Sequence, residues 1–385
     1  MFSERTSFTV TKNPLTLAIE ARRQKGLPIL DLTESNPTVA GFHYDRARIL
    51  KALTDPRGLL YEPAPFGLAA GREAVAAYYR DRGQIVDPCQ VVLTASTSEA
   101  YSFLFKLLAD PGDEILIPRP SYPLFDFLAR LNDVRTVQFP LVYEGAWRLD
   151  RPAFEASVSD KTRAVVFVSP NNPTGSVLES DDWKWLADFL SARRIPFIWD
   201  EVFHDYPLDH RDFIRDPLSD PDVAAFVLNG LSKTVALPQL KLAWIVVVGP
   251  TEFREQALER LEIVADTYLS VGTPIQHALP DLLASRAQIQ QEICVRLAEN
   301  LAALRAALKD TAGEVLPAAA GWNAVVRLPR VKTEEQWVME LLEEHGILVH
   351  PGYFYDFEDE AFIVVSLLTP ARTFHFGIDA LARLL

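Results

Sequence analysis

Short, largely apolar runs, each ending in a polar or turn-forming stretch, recur through the first two thirds of the chain. They cover residues 91–93, 114–118, 164–168, 196–199, 224–228 and 242–248. Segments with an apolar stripe at helical spacing separate several of them, for example the one from Tyr101 to Leu108. Buried strands that alternate with helices are typical of a mostly parallel sheet covered by helices. The pattern therefore predicts an α/β fold.

The two ends of the chain show a different pattern. A capped first helix is predicted from Asn13 to near Gly26. Residues 255–308 are mainly helical, with a break at 270–274, and the later runs 324–328 and 362–367 are strand-like. These segments predict a smaller α+β domain beside the large sheet.

Composition narrows the class of protein. With 385 residues, of which 49% are apolar, the chain can bury a large core and two domains are expected. Its formal net charge of -14 and pI near 5.0 argue against nucleic acid as a partner, because binding to a phosphate backbone needs a basic surface. No apolar run is long enough to span a bilayer, and residues 1–12 lack the apolar core of a signal peptide.

The motif content removes several other classes. Cys89 and Cys294 are the only cysteines and have no metal-ligand spacing, so neither a disulfide framework nor a zinc site is expected. We expect no metal site and a reducing, cytoplasmic location. Neither GxGxxG nor GxxxxGK[ST] occurs in the alternating region, which counts against a Rossmann dehydrogenase and a P-loop nucleotide enzyme.

Candidate chemistry lies directly after several of the predicted strands. Lys233 follows the run 224–228 and the turn-forming pair Asn229-Gly230, which places its amine at an edge of the sheet. Asp200 ends the run 196–199, where a carboxylate is costly unless it meets a cation or a donor. Taken one at a time, a solvated loop lysine and a helix-capping or solvated acid are the ordinary alternatives.

Two further loops carry polar groups in the same kind of position. Asn172 lies in a proline- and glycine-restricted loop, residues 169–175, after the run 164–168. Ser96, Thr97 and Ser98 stand between a strand and a helix, where hydroxyls and free N–H groups suit a phosphate. An ordinary turn and plain helix capping are the alternatives.

An amine, a carboxylate, an amide and a hydroxyl-rich helix start, all after strands of one sheet, together describe a site for pyridoxal 5'-phosphate. In these motifs, and over nearly the whole length from Asn13 to the last helix, the chain resembles the fold-type I pyridoxal-phosphate enzymes of the class I/II aminotransferase family. The resemblance implies a large cofactor-binding domain over residues 46–274. It also implies a small domain formed by residues 1–45 and 275–385.

The resemblance assigns roles around the cofactor ring. Lys233 would bond covalently to the cofactor aldehyde and later move a proton on the substrate. Asp200 would pair with the pyridine nitrogen and keep it protonated. Asn172 would donate to the ring phenolate, and Tyr122 would stack on the ring.

The remaining implied contacts concern the phosphate, the partner subunit and the substrate. The groups expected to hold the phosphate are Ser96, Thr97, Ser98, Ser232 and Lys241. Tyr61 would reach the phosphate of the neighbouring subunit, which requires a homodimer, although a packing role is the ordinary alternative. Asn36 would lie beside the substrate, or simply form a turn.

Four positions depart from the family pattern. Phe203 stands where a tyrosine is usual, so one donor to the ring phenolate is missing and we expect a raised pKa for the lysine–cofactor linkage. Gly230 replaces a phosphate-binding serine. Lys241 replaces an arginine and lacks its bidentate fork. Val364 occupies the place of the arginine that binds the substrate carboxylate, so either another group, such as Asn36, Asn172 or Arg327, holds the carboxylate or the substrate is an unusual one.

The sequence thus predicts an aminotransferase that moves an amino group from a small or hydrophobic amino acid to a 2-oxo acid. Phe66, Trp322 and Tyr353 are either contacts for the substrate side chain or core residues. A pyridoxal-phosphate β-lyase or decarboxylase would use the same chemistry and is the alternative. A cofactor-binding regulator or a catalytically silent relative is a third reading, and the intact Lys233 counts against it.

Overall fold

The computed structural model describes residues 2–8, 11–208, 216–359 and 361–385. Its helices are α1 (Pro14–Gln24), α2 (Arg46–Leu53), α3 (Ala69–Asp81), α4 (Thr97–Leu108), α5 (Phe125–Leu131), α6 (Arg151–Ser157), α7 (Ser180–Arg193), α8 (Leu231–Thr234), α9 (Thr251–Tyr268), α10 (Thr273–Ala284), α11 (Arg286–Leu308), α12 (Glu334–Glu343) and α13 (Ala371–Ala382). Its strands are β1 (Leu30–Asp31), β2 (Val91–Thr94), β3 (Glu114–Arg119), β4 (Arg135–Tyr143), β5 (Trp147–Leu149), β6 (Thr162–Val168), β7 (Phe197–Asp200), β8 (Ala225–Gly230), β9 (Ala243–Val248), β10 (Glu314–Val315), β11 (Asn323–Arg327), β12 (Ile347–Leu348), β13 (His350–Pro351) and β14 (Phe362–Ser366).

The large sheet has the strand order β2-β9-β8-β7-β6-β3-β4-β5. Its central strands are parallel, whereas β9 runs antiparallel to both β2 and β8, and β5 antiparallel to β4. The predicted mostly parallel α/β fold is therefore confirmed. Because β2, β3, β6, β7 and β8 share one direction, the loops after them meet at the same edge of the sheet.

Reversal of β9 brings one more loop to that edge. A strand that runs the opposite way begins where its neighbours end, so Lys241 and Leu242, just before β9, lie beside the loops that follow β2 and β8. The register shows this directly, since Ala243 pairs with both Thr94 and Gly230. The order of the strands thus gathers the predicted site residues from distant parts of the chain.

Both faces of the large sheet are buried, which is why its strands are continuous apolar runs. On one face the core contains Trp183, Trp199 and Trp244, and on the other Phe103 and Phe226. Every residue of β8 and β9 is buried. No helix within the described ranges is long and apolar enough to cross a lipid bilayer.

The smaller α+β unit is built on an antiparallel sheet of order β10-β11-β14-β13, with β1 and β12 paired nearby. Its core includes side chains of α11, α12 and α13. Helix α10 packs on α3 and contributes Ile275, Leu279 and Leu282 to the core of the large sheet. By packing, the change from one core to the other therefore falls between α10 and α11, and the division predicted at residue 274 stays a prediction.

A buried ion pair lies beneath the edge where the loops converge. Arg82, the C-cap residue of α3, donates to both carboxylate oxygens of Glu201, at 2.7 and 2.9 Å, and the two side chains are 10% and 0% exposed. Tyr79 and Asn229 donate to the same carboxylate at 3.0 and 3.3 Å. Four donors therefore satisfy a charge that burial would otherwise penalise heavily. They also fix Glu201, which follows β7, relative to Asn229, which ends β8.

We predict that Arg82→Leu destabilises the protein by about 3–5 kcal/mol, because Glu201 is left buried without a cation. Urea unfolding of the cofactor-free protein would measure the loss. Lys12→Ala is the matched control: Lys12 pairs with Glu20 where both side chains are well exposed, so about 0–1 kcal/mol is expected. Equal effects of the two substitutions would contradict a structural role for the buried pair.

Candidate active site

Lys233 lies on a helical turn that is held firmly in place. Strand β8 ends at Gly230, and α8 follows at once. Asn229 Oδ1 accepts hydrogen bonds from the Gly230 N–H at 2.7 Å and from the Thr234 hydroxyl at 3.1 Å. Tyr206 donates its hydroxyl to the Lys233 carbonyl, and Gln290 donates to the Thr234 carbonyl. The backbone that carries the lysine is thus bonded to β8, α11 and the loop after β7.

Gly230 stands at the position where the family resemblance predicts a phosphate-binding serine. A Cβ atom there would lie 2.8 Å from the Ala243 Cβ and 3.1 Å from the Leu242 carbonyl oxygen. Real Cβ atoms do not approach other atoms so closely, so the close packing of β8 on β9 excludes any side chain. The missing serine is therefore a consequence of how these two strands pack.

The Lys233 amine is surrounded by aromatic rings and one carboxylate. Its Nζ lies 4.3 Å from the ring centroid of Trp322 and 5.3 Å from that of Phe203. Burial lowers the pKa of Lys233 to about 8, and the charge of Asp200 partly opposes the shift. A substantial fraction of the amine is therefore free of its proton in mildly alkaline solution, as a nucleophile requires.

Asp200 is 7% exposed and has only neutral hydrogen-bond donors. Tyr101 donates its hydroxyl to Oδ2 at 2.9 Å, and the Val202 N–H donates to Oδ1 at 3.1 Å. Burial raises the pKa of Asp200 to about 6, although both hydrogen bonds act in the opposite direction. Among the described residues the carboxylate forms no salt bridge, in contrast to its neighbour Glu201, although the charge of Lys233 acts on it and opposes the rise of its pKa.

Asn172 is oriented by a residue that the sequence did not single out. Asn323, at the start of β11, donates its Nδ2 to Asn172 Oδ1 at 2.9 Å. The amide N–H₂ of Asn172 then faces away from that bond and is available to a ligand. In the same loop, Asn171 is buried and donates to the Pro120 carbonyl at 3.1 Å. This bond ties the Asn172 loop to the loop that carries Tyr122, whose side chain is 38% exposed.

The hydroxyl cluster starts α4, as predicted. Ser96 is the N-cap residue, and its Oγ accepts from the Glu99 N–H at 3.1 Å. Thr97 and Ser98 form the first turn, and all three are partly exposed. Strand pairing places this turn next to Lys241, which is exposed and has a left-handed φ of 51°. Ser232, also partly exposed, lies one residue before Lys233 on the neighbouring loop.

Other predicted residues lie outside this cluster or are occupied. Tyr61 is 74% exposed and projects from the surface of the chain. Asn36 is exposed, and its Oδ1 accepts from the Thr38 N–H and hydroxyl, so it forms the turn that was its alternative reading. Arg327 is the last residue of β11, whereas Asn323 is its first, and Arg327 pairs with Glu314. Neither Asn36 nor Arg327 contacts Lys233, Asp200 or Asn172 within the described residues.

Val364 lies in an apolar part of the small sheet, and its correspondence to the family's arginine stays a prediction. It is 1% exposed and packs in a cluster with Trp147, Val325 and Tyr355. The whole of β14 has the sequence FIVVS, so no register of this strand places an arginine there. Among the possible side-chain contacts, Trp322 is 2% exposed beside the amine, whereas Tyr353 is 41% exposed.

Sequence reasoning missed Tyr101, Asn323 and Glu201. Tyr101 was counted as part of an apolar stripe, but it lies about one helical turn beyond Ser98, which could have indicated that its hydroxyl points to the same edge. Asn323 is a polar residue at the start of an apolar strand, and its partner Asn172 is 151 residues away. No local pattern announces a contact over that separation.

We predict that Asp200→Asn stabilises the cofactor-free protein at pH 8. The pKa of Asp200 is higher in the folded protein than in the unfolded chain, so folding is favoured when this carboxyl group is protonated. The free energy of unfolding therefore falls as the pH rises from about 4 to about 6. Removing the charge should restore about 2–3 kcal/mol at pH 8 and almost nothing near pH 4. Urea unfolding at both pH values would measure this.

The control for that experiment is Asp113→Asn, because hydrogen bonds lower the pKa of Asp113 and its charge favours the folded state. That substitution should not stabilise the protein at pH 8. A destabilised Asp200→Asn protein at pH 8 would contradict the assignment of Asp200 as a carboxylate without a cationic partner.

Comparison with known proteins gives the same picture over the whole chain. A family model described as aminotransferase class I and II matches residues 28–374. The alanine aminotransferase of Mycobacterium tuberculosis strain H37Rv is 27% identical over 374 residues, covering 94% of this chain and 86% of that protein. Glutamate-pyruvate aminotransferase AlaA of Haemophilus influenzae is 24% identical over 373 residues, covering 94% and 92%.

Solved structures share the fold. Alanine aminotransferase from Pyrococcus furiosus superposes with a TM-score of 0.90 at 23% identity, covering 100% of this chain and 99% of that one. N-succinyldiaminopimelate aminotransferase from Mycobacterium tuberculosis gives 0.82 at 22%, covering 100% of both chains. These enzymes act on different amino donors, so the shared fold does not name the substrate. The family match, which spans most of the chain, is decisive at a coarser level: this protein belongs to the class I and II aminotransferase family.

Proposed function

We propose that this aminotransferase uses pyridoxal 5'-phosphate to move an amino group from an amino acid with a small or hydrophobic side chain to a 2-oxo acid. The observation that carries the proposal is the presence of two ionisable groups at one sheet edge: a partly exposed lysine amine whose pKa is lowered, and a buried carboxylate that forms no salt bridge among the described residues. Membership of the family implies the cofactor.

The residues present fit this cofactor. Asp200, held by two neutral donors, is suited to a protonated pyridine nitrogen, which would supply the missing cation. Asn172, turned by Asn323, is suited to donate to the ring phenolate. The start of α4 offers free N–H groups and hydroxyls to the phosphate. When bound, pyridoxal phosphate withdraws electrons from the substrate α-carbon.

Each protein group has a role consistent with its surroundings. Lys233 binds the cofactor and then moves the α-proton, and its lowered pKa matches a group that must alternate between base and acid near neutrality. Ser96, Thr97, Ser98, Ser232 and Lys241 hold the phosphate, and Tyr122 covers one face of the ring. Phe203 has no hydroxyl to donate, so Asn172 is the donor assigned to the phenolate.

The preference for a small or hydrophobic side chain rests on the aromatic residues near the amine. Trp322 and Phe203 pack edge to face, with ring centroids 5.6 Å apart, and both contact the Lys233 amine. Apolar walls favour a substrate with an apolar side chain, because they offer no hydrogen bonds or opposite charge to a charged side chain. Two of the relatives carry alanine or glutamate-pyruvate in their names, which agrees with a small donor.

We also propose a homodimer in which Tyr61 completes the site of the other subunit. Leu59, Leu60 and Tyr61 form a consecutive apolar surface, 89%, 69% and 74% exposed. An exposed apolar patch of this kind is suited to an interface. Cys89 and Cys294 are both unpaired, which supports the reducing cytoplasm as the location.

The lysine role predicts a covalent bond that depends on pH. Added pyridoxal phosphate, fixed with borohydride, should label Lys233 in the cofactor-free protein. The labelling rate should rise with pH, reach half its maximum near pH 8 and level off above that, because the pKa of the amine is about 8. Peptide mass spectrometry would locate the label. Lys233→Ala should abolish it, and Lys241→Ala should keep it at saturating cofactor. Labelling elsewhere, or a rate that still rises near pH 10, would refute the role.

The reaction itself predicts a change in the cofactor spectrum. With alanine and other small or hydrophobic amino acids, the bound cofactor should convert to its amine form and release a 2-oxo acid. Release of ammonia and pyruvate instead would indicate a β-lyase, and carbon dioxide a decarboxylase. A protein that binds the cofactor but changes none of these amino acids would be a silent relative.

The dimer is tested by mixing two inactive variants, Lys233→Ala and Tyr61→Ala, at limiting cofactor. If Tyr61 serves the partner subunit, the mixed dimer has one site with both an intact lysine and an intact tyrosine, and up to about half of its sites recover activity. If Tyr61 acts within its own subunit, no mixed site is complete. Recovery of activity on mixing supports the proposal, and its absence in verified mixed dimers opposes it.

A further inference from the structure

The substrate carboxylate has no arginine to meet it at the usual place. Strand β14 offers only apolar side chains and Ser366, whose hydroxyl donates to the Glu34 carbonyl. The arginines at the rim of the small sheet are already paired: Arg119 with Glu358, Arg327 with Glu314, and Arg330 with Asp359. A carboxylate that leaves water must still receive hydrogen bonds, so other donors are needed.

One polar pair lies beside the position of the missing arginine. His350 of β13 is directly opposite Val364 in the antiparallel pairing with β14. Side chains that are opposite each other in this way project from the same face of a sheet, with Cβ atoms about 5 Å apart. His350 Nδ1 lies 3.0 Å from the hydroxyl oxygen of Tyr355. Tyr355, 8% exposed, packs in the same cluster as Val364.

The pair is also close to the cofactor side of the cleft. The Tyr355 carbonyl accepts a hydrogen bond from the Ser121 N–H at 2.9 Å, and Ser121 is adjacent to Tyr122. Tyr122 is near enough to help raise the pKa of Tyr355. Tyr355 therefore lies between Tyr122, the residue assigned to stack on the cofactor, and β14, the strand that would present the carboxylate-binding residue.

We propose that the His350–Tyr355 pair binds the α-carboxylate of the amino acid substrate in place of the arginine, an inference that rests on the function proposed above. Whichever group donates in the bond between them, one hydrogen remains free. If the phenol donates to Nδ1, the Nε2–H is unused; if Nδ1–H donates, the phenolic hydrogen is unused. Within the described residues neither group has another hydrogen-bond partner.

The electrostatic character of this pair differs from that of an arginine. Burial lowers the pKa of His350, and Asp31 is the charge that opposes the shift. Burial raises the pKa of Tyr355 to about 12. Both groups are therefore neutral near pH 7. They therefore orient the carboxylate by hydrogen bonds and do not neutralise its charge. Neither group places a positive charge beside the amino group of the incoming substrate.

Other polar groups on the same face are less suitable. Asn323 donates one of its two amide hydrogens to Asn172 and is held by that bond. Asn36 has its amide oxygen in a turn with Thr38 and lies on the exposed side of its segment. The His350–Tyr355 pair keeps an unspent donor beside Tyr122, with Tyr355 buried and His350 partly buried. The Nε1–H of Trp147 in the same cluster is also buried without a hydrogen-bond partner, but it lies on β5 of the large sheet.

The test compares ligands with and without a carboxylate. The protein is used as the cofactor-loaded enzyme, and binding of 2-aminoisobutyrate, which has no α-proton to lose, is followed by the cofactor absorbance beside binding of isopropylamine. Tyr355→Phe and His350→Phe keep the ring packing but remove the donors. Each should raise the Kd for 2-aminoisobutyrate about 10- to 100-fold, the usual effect of a hydrogen bond to a charged group, and leave that for isopropylamine unchanged.

Tyr143→Phe is the matched control, since it removes a phenol from the rim of the same cluster, where the hydroxyl bonds Glu314. It should change neither Kd. Equal weakening of both ligands by Tyr355→Phe, or no weakening of either, would overturn the proposal. The proposed function fails separately: wild-type enzyme that forms no cofactor amine with any amino acid would refute aminotransfer, whatever the variants do.

Discussion

The site depends on holding two ionisable groups, the partly exposed Lys233 and the buried Asp200, against apolar side chains without an ordinary ion pair between them. Burial pushes the pKa of Lys233 down and that of Asp200 up, so each is driven toward its neutral form. Both shifts cost folding free energy. They also leave a nucleophilic amine and a carboxylate that still has room for a cation. A direct bond between the two would have relieved the cost and removed both properties.

The surrounding structure offsets the folding free energy that the site costs. Asp200 and Glu201 are consecutive residues at the end of β7, so their side chains point to different environments. Among the described residues, Asp200 accepts hydrogen bonds from Tyr101 and one backbone N–H, whereas Glu201 accepts them from Arg82, Tyr79 and Asn229. The fully satisfied carboxylate anchors the end of the strand, and its bond to Asn229 reaches the segment that carries Lys233. Asp200 is thereby held in place with two neutral donors and, among the described residues, no salt bridge.

The sequence was sufficient for the sheet and for the loops after its strands, because continuous apolar runs such as those of β6 and β8 have few other uses. It could not reveal the direction of β9, since a run like AWIVVV is the same pattern in either direction, and that direction is what brings Lys241 to the edge. Nor could it reveal why Gly230 is a glycine, which depends on how closely β8 packs on β9. Contacts such as Asn323 to Asn172 join residues far apart in the chain and have no local signal. The roles of the site residues themselves came from resemblance to a family.

One face of the small sheet has two tasks that restrict each other. Val325, Val364 and Phe362 pack on Trp147 of β5 and so attach the small sheet to the large one. A buried arginine in the middle of that face would need a partner and would break the apolar contact. Moving the polar groups to the edge of the face, at His350, Tyr355 and Asn323, keeps the contact dry and still leaves donors beside the cleft. Neutral donors attract an anion less strongly than a guanidinium does, so recognition on this face must rest more on position and on the apolar walls around Lys233 than on charge.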